Sequence, residues 1–353
     1  MAIKKRTIIA AILASVSGFS AMTVASVLIA YDAVFPRVKR PDYAVTPGLV
    51  CYERLKNDLP RNEFFFSPKK DVQLKGYYYE SVSKKGLVVL VHGFRSGADD
   101  YLHVTQSLVE NGYNVFAYDC TGTYESSGEG TVGMCQSLVD LDLVLSYLES
   151  TPPYSTQPMF LVGHSWGGYA AASVLALHSG IRAAACLAPM YNGATMMIEK
   201  GEQYVGKLAV TAKPVFTVYQ RMLFQDYVEH NSVRGINSVD IPVLVAHGVD
   251  DTTITYNGQS IMAHRDEITN PNVQYITTRG VQGTHDGILL SKQALLYRAE
   301  VASDLALIEK QKGKKLTNSE LAEYYATVNH ALYSQVNPEL MSSVVAMFDG
   351  ANK

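Results

Sequence analysis

Short apolar runs separated by glycine-rich or polar turns recur through the middle of the chain. They occupy residues 86–91, 113–119, 159–162, 183–187, 241–246 and 273–277. Runs of this length, separated by longer segments, are typical of strands that are buried on both faces of a parallel sheet. Residues 168–177, 291–312 and 318–349 are predicted helices, with a turn at residues 312–315. The pattern therefore predicts an α/β fold.

One of these runs leads directly into the pentapeptide Gly163-His164-Ser165-Trp166-Gly167, which a helix-permissive segment follows. Strand, sharp turn and helix form the setting in which a G-x-S-x-G pattern presents a serine as a nucleophile. Glycines are needed beside such a turn because the serine backbone is strained and bulkier neighbours would clash. Ser165 is therefore the candidate nucleophile. The alternative is a glycine-rich turn without chemistry.

A serine hydroxyl needs a base, and the base needs an acid that orients it. The run at residues 273–277 leads into a glycine-rich loop that contains His285, the candidate base. The run at residues 241–246 leads into a turn that contains Asp250 and Asp251, and the spacing alone leaves both open as the acid. Asp286 is the poorer candidate because an acid next to the base in sequence would point away from it.

Over about residues 72–290, these motifs in this order resemble the α/β-hydrolase superfamily. The resemblance rests on His92-Gly93, the turn at Asp119, the Ser165 pentapeptide and the acid followed by His285. The chain looks most similar to the branch of monoacylglycerol lipases and serine aminopeptidases. The resemblance implies a mostly parallel central sheet with helices on both faces and a helical cap over the site.

The resemblance also implies roles for individual residues. In the family the acid usually lies three residues after the glycine of an H-G-x-x-D turn, and this position is Asp251. The backbone N–H groups of Phe94 and Trp166 are the implied oxyanion hole. His92 matches the loop histidine of the family, which is more often structural than catalytic. Arg95 beside it is a candidate contact for an acidic substrate, and a solvated loop charge is the favoured interpretation.

The predicted layout has three parts. Residues 1–31 form a membrane anchor or signal peptide, residues 32–70 an approach segment, and residues 71–353 the catalytic domain with a cap insertion at about residues 190–240. Apolar cap residues could line an acyl pocket, although packing of the cap onto the body is favoured for any one of them. They are Met196, Met197, Tyr204, Phe216, Tyr219, Met222, Leu223, Phe224 and Tyr227.

The N-terminal stretch at residues 7–31 has no charged side chain and would span about 37 Å as a helix, enough for a bilayer. A transmembrane anchor is the first interpretation, a cleaved secretory signal the second, and a buried helix the third. A short basic front followed by a long domain favours the N-terminus inside and the body outside the cytoplasm. Removing residues 1–31 is expected to leave an active body, since every candidate catalytic residue comes later.

Composition narrows the possible partners. The 353 residues are 47% hydrophobic and 18% charged, which is enough for a sizeable core. Residues 1–40 have six basic side chains and one acidic side chain, a net charge of +5. Because the net charge of the whole chain is −3, residues 41–353 have a net charge of −8. An acidic body argues against nucleic acid as a partner. No metal-ligand spacing or phosphate-binding loop is present, so no cofactor or metal is implied. The spacing of the cysteines is no disulfide framework, and a Cys120–Cys135 bridge stays possible only in an oxidising compartment.

The sequence favours a serine hydrolase that cleaves the ester of a hydrophobic acid, a small-molecule substrate, through an acyl-enzyme. A peptidase for short peptides is the alternative, and it would need cap carboxylates for the peptide amine. Glu199, Glu202 and Asp226 are the candidates for that role. A non-catalytic binding protein that retains the fold is the third hypothesis, and the intact set of Ser165, Asp251 and His285 argues against it.

Overall fold

The computed structural model describes residues 21–46, 51–197 and 208–353. The strands of this part of the chain are β1 (Arg61–Lys69), β2 (Val72–Tyr79), β3 (Leu87–Val91), β4 (Asn114–Tyr118), β5 (Met159–His164), β6 (Ile181–Leu187), β7 (Val243–Gly248) and β8 (Val273–Thr278). They form one sheet in the order β1-β2-β4-β3-β5-β6-β7-β8. The pairings of β2 with β1 and β4 are antiparallel, and all the others are parallel.

The helices are α1 (Ala21–Val34), α2 (Tyr52–Leu55), α3 (Leu102–Glu110), α4 (Gln136–Ser150), α5 (Trp166–Ser173), α6 (Leu208–Phe224), α7 (Ser232–Asn237), α8 (Lys292–Lys312), α9 (Asn318–Ala326), α10 (His330–Tyr333) and α11 (Pro338–Ala351). Residues 193–197 form a further helical turn. Short 3₁₀ segments lie at Ala98–Tyr101, Tyr154–Thr156, Val174–Ala176, Gln225–Glu229, Ile261–Glu267, Gly280–Gly283 and Gly287–Leu289.

The central strands are apolar throughout because both faces of the sheet are covered. Alternate residues of β3 contribute to two different cores. Leu87, Val89 and Val91 pack in the core that includes α4 and α5, whereas Val88 and Leu90 pack in the core that includes α3 and α11. This alternation is the pleat of a strand buried between two helical layers. The predicted α/β fold with a mostly parallel sheet is confirmed.

Two details differ from the sequence prediction. Residues 61–69, assigned to the approach segment, form edge strand β1, because alternate side chains such as Phe66 turn inward and pack on Phe116. The predicted helix at residues 318–349 is divided into α9, α10 and α11. Asn329 and Asn337 accept N-terminal backbone N–H groups of α10 and α11, so each starts a new helix.

The four cysteines are free thiols, so the Cys120–Cys135 bridge is absent.

Helix α1 carries the end of the uncharged N-terminal stretch, of which residues 7–20 lie outside the described part of the chain. Leu28 and Tyr31 are buried, and the ring of Tyr31 lies 5.3 Å from that of Phe216 and 5.0 Å from that of Tyr219 on α6. The expected domain boundary after residue 31 therefore cuts through a packed contact. Among the residues that the structure describes, no helix is both long and apolar enough for a membrane crossing.

The Tyr31 contact predicts a stability effect that separates the ring from its hydroxyl. Tyr31→Ala should lower the free energy of unfolding by about 3 kcal/mol, because it removes a buried aromatic ring between α1 and α6. Tyr31→Phe is the matched control and should leave the free energy of unfolding nearly unchanged. The hydroxyl that it removes is buried without a hydrogen-bond partner in the described chain. Chemical denaturation of the three proteins measures both effects. Equal stability of Tyr31→Ala and the unchanged protein would contradict the packing of α1 onto the cap.

Candidate active site

Ser165 stands at the sharp turn between β5 and α5, the position that the sequence predicts. Its backbone has φ 58° and ψ −115°, a region that non-glycine residues rarely adopt. The flanking glycines are sterically required, because a Cβ on Gly163 would lie 2.1 Å from the carbonyl oxygen of Gly167. A Cβ on Gly167 would lie 2.1 Å from the carbonyl oxygen of Val91. The turn therefore holds the serine in a strained conformation against the ends of β3 and β5.

The structure brings the three predicted side chains together in one line. The Nε2 atom of His285 lies 2.8 Å from Oγ of Ser165. The Nδ1 atom of His285 lies 2.6 Å from Oδ2 of Asp251. Both distances are hydrogen bonds, so the imidazole joins the hydroxyl to the carboxylate. Ser165 and Asp251 are buried, whereas His285 is partly exposed at the cavity wall.

Asp251 has a full set of hydrogen-bond donors. Its Oδ1 accepts the backbone N–H groups of Thr253 and Ile254, both at 2.8 Å. Nε2 of His247 lies 2.9 Å from the carbonyl oxygen of Ile254 and 3.1 Å from Oδ2 of Asp251. Burial opposes the ionised form, but the hydrogen bonds from His247 and His285 outweigh it and hold the pKa of Asp251 below its usual range. The sequence analysis missed His247 as a partner, although it is the first residue of the H-G-x-x-D motif.

The two competing carboxylates lie elsewhere. Asp250 is exposed, and its Oδ2 accepts the backbone N–H of Gly280 at 3.1 Å, which ties the turn after β7 to the loop after β8. Asp286 is also exposed and lines the cavity beside His285. The geometry therefore distinguishes Asp251 from both neighbours.

The two predicted oxyanion donors lie beside the nucleophile. Trp166 is the first residue of α5, so its N–H has no acceptor within that helix. The N–H of Phe94 donates to no group of the described chain. The rings of Phe94 and Trp166 pack edge-on at 5.6 Å, and Phe35 packs against Phe94 from the other side at 5.5 Å. Arg95 lines the cavity and also donates from Nη2 to the carbonyl oxygen of Val34 at the end of α1.

A buried chain of hydrogen bonds, called the relay below, connects the loop of Gly93 and Phe94 (the oxyanion loop) to the loop of His285. The sequence did not indicate it. The N–H of Gly93 donates to the hydroxyl of Tyr101 at 3.0 Å, and this hydroxyl lies 2.8 Å from Nδ1 of His164. The Nε2 atom of His164 lies 3.1 Å from the carbonyl oxygen of His285. Burial lowers the pKa of His164 to about 4, so the ring is neutral and accepts at Nδ1 while it donates at Nε2.

His92 has a structural place, as the sequence suggests. Its Nε2 accepts the backbone N–H of Cys120 at 2.9 Å, and its Nδ1 donates to the carbonyl oxygen of Gly93 at 2.8 Å. Burial lowers the pKa of His92 to about 4, which keeps the ring neutral. The side chain therefore links the ends of β3 and β4 and is not a proton carrier for Ser165.

A cavity of about 690 Å³ opens over Ser165 and His285. One wall comes from the approach segment, with Lys39, Pro41 and Thr46, and another from the C-terminal region, with Leu289, Leu290, Arg298 and Tyr333. In the described part of the cap, at residues 190–197 and 208–240, no residue lines this cavity.

The cap residues that the sequence offered as pocket lining have other places. Met196, Met197, Tyr219 and Phe224 are buried, and all but Phe224 belong to the core cluster against which Phe216, Met222, Leu223 and Tyr227 pack. Tyr204, Glu199 and Glu202 lie outside the described residues. Asp226 is exposed and is not part of the cavity wall. The described cap therefore packs onto the body and leaves the cavity to other segments.

Ion pairs hold the approach segment against the body. The guanidinium of Arg40 pairs with Asp99 and donates to the hydroxyl of Tyr77 at 2.7 Å. The hydroxyl of Tyr43 donates to Asp100 at 2.9 Å. Asp99 and Asp100 directly follow the oxyanion loop. The contacts therefore join the wall of the cavity to the 3₁₀ segment Ala98–Tyr101, which follows the turn at Phe94.

One group among the described residues has the geometry to hold a metal ion. Ligand atoms of His164, His285 and Asp286 lie within 4.8 Å of one another. However, His285 uses both ring nitrogens on Asp251 and Ser165, and both ring nitrogens of His164 are hydrogen-bonded. Neither imidazole therefore has a free nitrogen for a cation in this arrangement.

Comparison with known proteins identifies a matching family profile and proteins of similar fold. A family profile described as "Serine aminopeptidase, S33" matches residues 82–235. Among curated protein sequences, none matches the chain significantly. The fold is similar to that of an esterase from Pyrococcus furiosus, with 18% identity and a TM-score of 0.53, over 83% of this chain and 98% of the esterase.

Two further solved structures share the fold. One is Est1E from Butyrivibrio proteoclasticus, with ferulic acid bound, at 18% identity and a TM-score of 0.51, over 70% of this chain and 99% of Est1E. The other is the α/β hydrolase GrgF from Penicillium sp. sh18, at 15% identity and a TM-score of 0.50, over 76% of this chain and 100% of GrgF. With the sheet order and the serine turn described above, these similarities show that the chain has the α/β-hydrolase fold.

Proposed function

We propose that the protein is a serine hydrolase that cleaves a carboxylic ester through an acyl-enzyme intermediate. One observation carries the proposal: a continuous line of hydrogen bonds runs from Oγ of Ser165 through His285 to the buried Asp251. The strained turn at Ser165 supports the same role, because it presents the hydroxyl beside the N–H groups of Phe94 and Trp166, which have no acceptor among the described residues. A non-catalytic binding protein would have no need of this combination.

Each side chain has one task in the proposed reaction. Nε2 of His285 takes the proton from Ser165 as Oγ bonds to the ester carbonyl carbon, and the carbonyl oxygen becomes an anion. The N–H groups of Phe94 and Trp166 stabilise this anion. His285 then gives the proton to the departing alcohol oxygen, which breaks the C–O bond and leaves an acyl-serine. Water repeats the two steps and releases the acid, while Asp251 keeps Nδ1 of the imidazole protonated.

An ester is favoured over a peptide as substrate. The esterase from Pyrococcus furiosus has a similar fold. Among the described cap residues, Asp226 was the candidate for binding a peptide amine, and its side chain is exposed and outside the cavity wall. An aminopeptidase is the second candidate, because the matching family profile is described as one.

The nucleophile is tested by removing its hydroxyl. Ser165→Ala should fold normally and lower kcat for p-nitrophenyl butyrate by at least about a thousandfold, because loss of a triad member removes covalent catalysis. Steady-state hydrolysis measures the change, and a fluorophosphonate probe should label the unchanged protein but not the variant. A variant that keeps more than a tenth of the turnover would exclude Ser165 as the nucleophile.

The acid is tested with a matched pair of adjacent substitutions. Asp251→Asn should lower kcat by about a thousandfold or more, because the amide no longer holds the imidazole in the tautomer that accepts a proton at Nε2. Asp250→Asn should change kcat less than about threefold, since its amide oxygen can still accept the N–H of Gly280. The same ester assay compares the two, and the opposite ranking would move the acid to Asp250.

We also propose that the uncharged stretch at residues 7–31 anchors the protein to a membrane, with the body outside the cytoplasm. The absence of charge over this stretch and the basic residues that flank it support the proposal. Because Leu28 and Tyr31 pack on the body, the anchor would have to lie mainly before them. The cavity would then lie on a body joined directly to the membrane segment.

Fractionation of cells that produce the full chain tests the anchor. The protein should sediment with carbonate-washed membranes at its uncut mass, whereas a control with Ile12→Arg and Val16→Arg should not, because two charges within the apolar stretch oppose insertion. Addition of protease to intact cells should degrade the body. A shortened protein that begins near Ser26 would support a cleaved signal, and uncut soluble protein would show that the stretch is no anchor.

A further inference from the structure

The C-terminal wall of the cavity contains a guanidinium that forms no ion pair with any described residue. Arg298 lies on α8, and its Nε donates to the carbonyl oxygen of Tyr333 at 2.8 Å. The guanidinium lies over the ring of Tyr333, 4.5 Å from its centre. In the described chain the guanidinium forms no ion pair, the charge of Asp286 acts on it only from a distance, and Nε is its one hydrogen-bond donor to protein. The stacking and the single hydrogen bond hold the plane of the guanidinium, so two donors remain for a ligand.

His103, a second polar side chain beside Arg298, has a ring nitrogen without a hydrogen-bond partner in the described chain. His103 also lines the cavity, and its Nε2 is buried without a hydrogen-bond partner. Burial, the positive charge of Arg298 and the neighbouring His164 lower the pKa of His103 to about 3, so the ring is neutral. A buried polar atom without a partner is uncommon in a finished protein core and indicates a place where a ligand or solvent completes the hydrogen bonding.

The charges of the cavity wall favour an anion. Lys39, Arg95 and Arg298 are its cations, and Asp100 and Asp286 are its carboxylates. Asp100 already accepts hydrogen bonds from Tyr43, Tyr124 and the N–H of Gly97. Asp286 is exposed and forms no ion pair with Arg298 in the described chain, although its negative charge acts on Arg298 from beyond that distance. Arg298 is therefore a partly buried cation of the wall that has no ion-pair partner among the described residues.

We propose that Arg298 and His103 form a subsite for a carboxylate carried by the acyl group of the substrate. This inference rests on the proposed ester hydrolysis and specifies its substrate class. Leu289 and Leu290 line the same wall and provide an apolar surface for the methylene chain between the ester carbonyl at Ser165 and the distal carboxylate. The substrates are then half-esters of dicarboxylic acids, and the product is a dicarboxylate.

Matched esters test the subsite. The p-nitrophenyl half-esters of adipic and suberic acid have a free distal carboxylate, and their methyl-capped forms are neutral with nearly the same shape. The measured quantity is the ratio of kcat/KM for the free ester to kcat/KM for the capped ester. The unchanged protein should prefer at least one free ester by about tenfold or more, because a charge-assisted pair with a guanidinium is lost on capping.

Substitutions on helix α8 test whether Arg298 causes the preference for the free ester. Arg298→Gln should bring the ratio close to one, and Arg298→Lys should keep part of it, because the charge remains while the planar fork is lost. Lys310→Gln removes an exposed charge further along the same helix and is the matched control, which should keep the full ratio. Because each ratio compares two esters on one protein, a general loss of folding or turnover cancels.

A binding measurement separates this inference from the proposed function. Calorimetric titration with suberate should show binding to the unchanged protein and at least tenfold weaker binding to Arg298→Gln. If no ester is hydrolysed but suberate binds through Arg298, the ester-hydrolase proposal fails and the anion subsite stands. If the capped esters are hydrolysed but the free esters show no preference, or if Arg298→Gln leaves the ratio unchanged, the subsite is excluded and the hydrolase stands.

Discussion

The strained backbone at Ser165 is the constraint on which the site depends. Parallel strands end at a common edge of a sheet, so the loops after β3, β5, β7 and β8 meet there. Only a very tight turn can place a side chain at that edge with a helix starting directly behind it. Gly163 and Gly167 make this turn possible, because any side chain at either position would overlap a backbone carbonyl. The strained conformation of Ser165 is held in place because α5 packs on β3, β5 and β6.

The grouping of Ser165, His285 and Asp251 could be predicted from sequence because each of them occupies a short local motif at the end of an apolar run. The choice between Asp250 and Asp251 could not be made from spacing. It depends on which carboxylate receives the N–H groups of Thr253 and Ile254, and this is a property of the folded turn. The relay through Tyr101 and His164 was also missed, because its members are joined across three separate loops.

The walls of the cavity were the least predictable part. The cap offered many apolar side chains, yet its described residues pack onto the core. The walls come from the approach segment and from the region around α8 and α10, which lie near opposite ends of the chain. Arg40 illustrates the difficulty. Its pairing with Asp99 crosses 59 positions in sequence and follows no local period. Edge strand β1 was missed for a similar reason, since its pattern depends on pairing with β2.

The hydrogen bonds that join the loops around Ser165 do not include Arg298, the proposed contact for the acyl carboxylate. Oxyanion loop, nucleophile turn and base loop are joined by hydrogen bonds through Tyr101 and His164, which is neutral because it is buried. A shift of one loop must therefore move or break a bond to the next, so these three loops behave as one unit. Arg298, in contrast, is held in the described chain by the carbonyl oxygen and ring of Tyr333, and the charge of Asp286 acts on it from a distance. It forms no hydrogen bond with Tyr101 or His164, so a substitution of Arg298 leaves the hydrogen bonds that join the three loops in place.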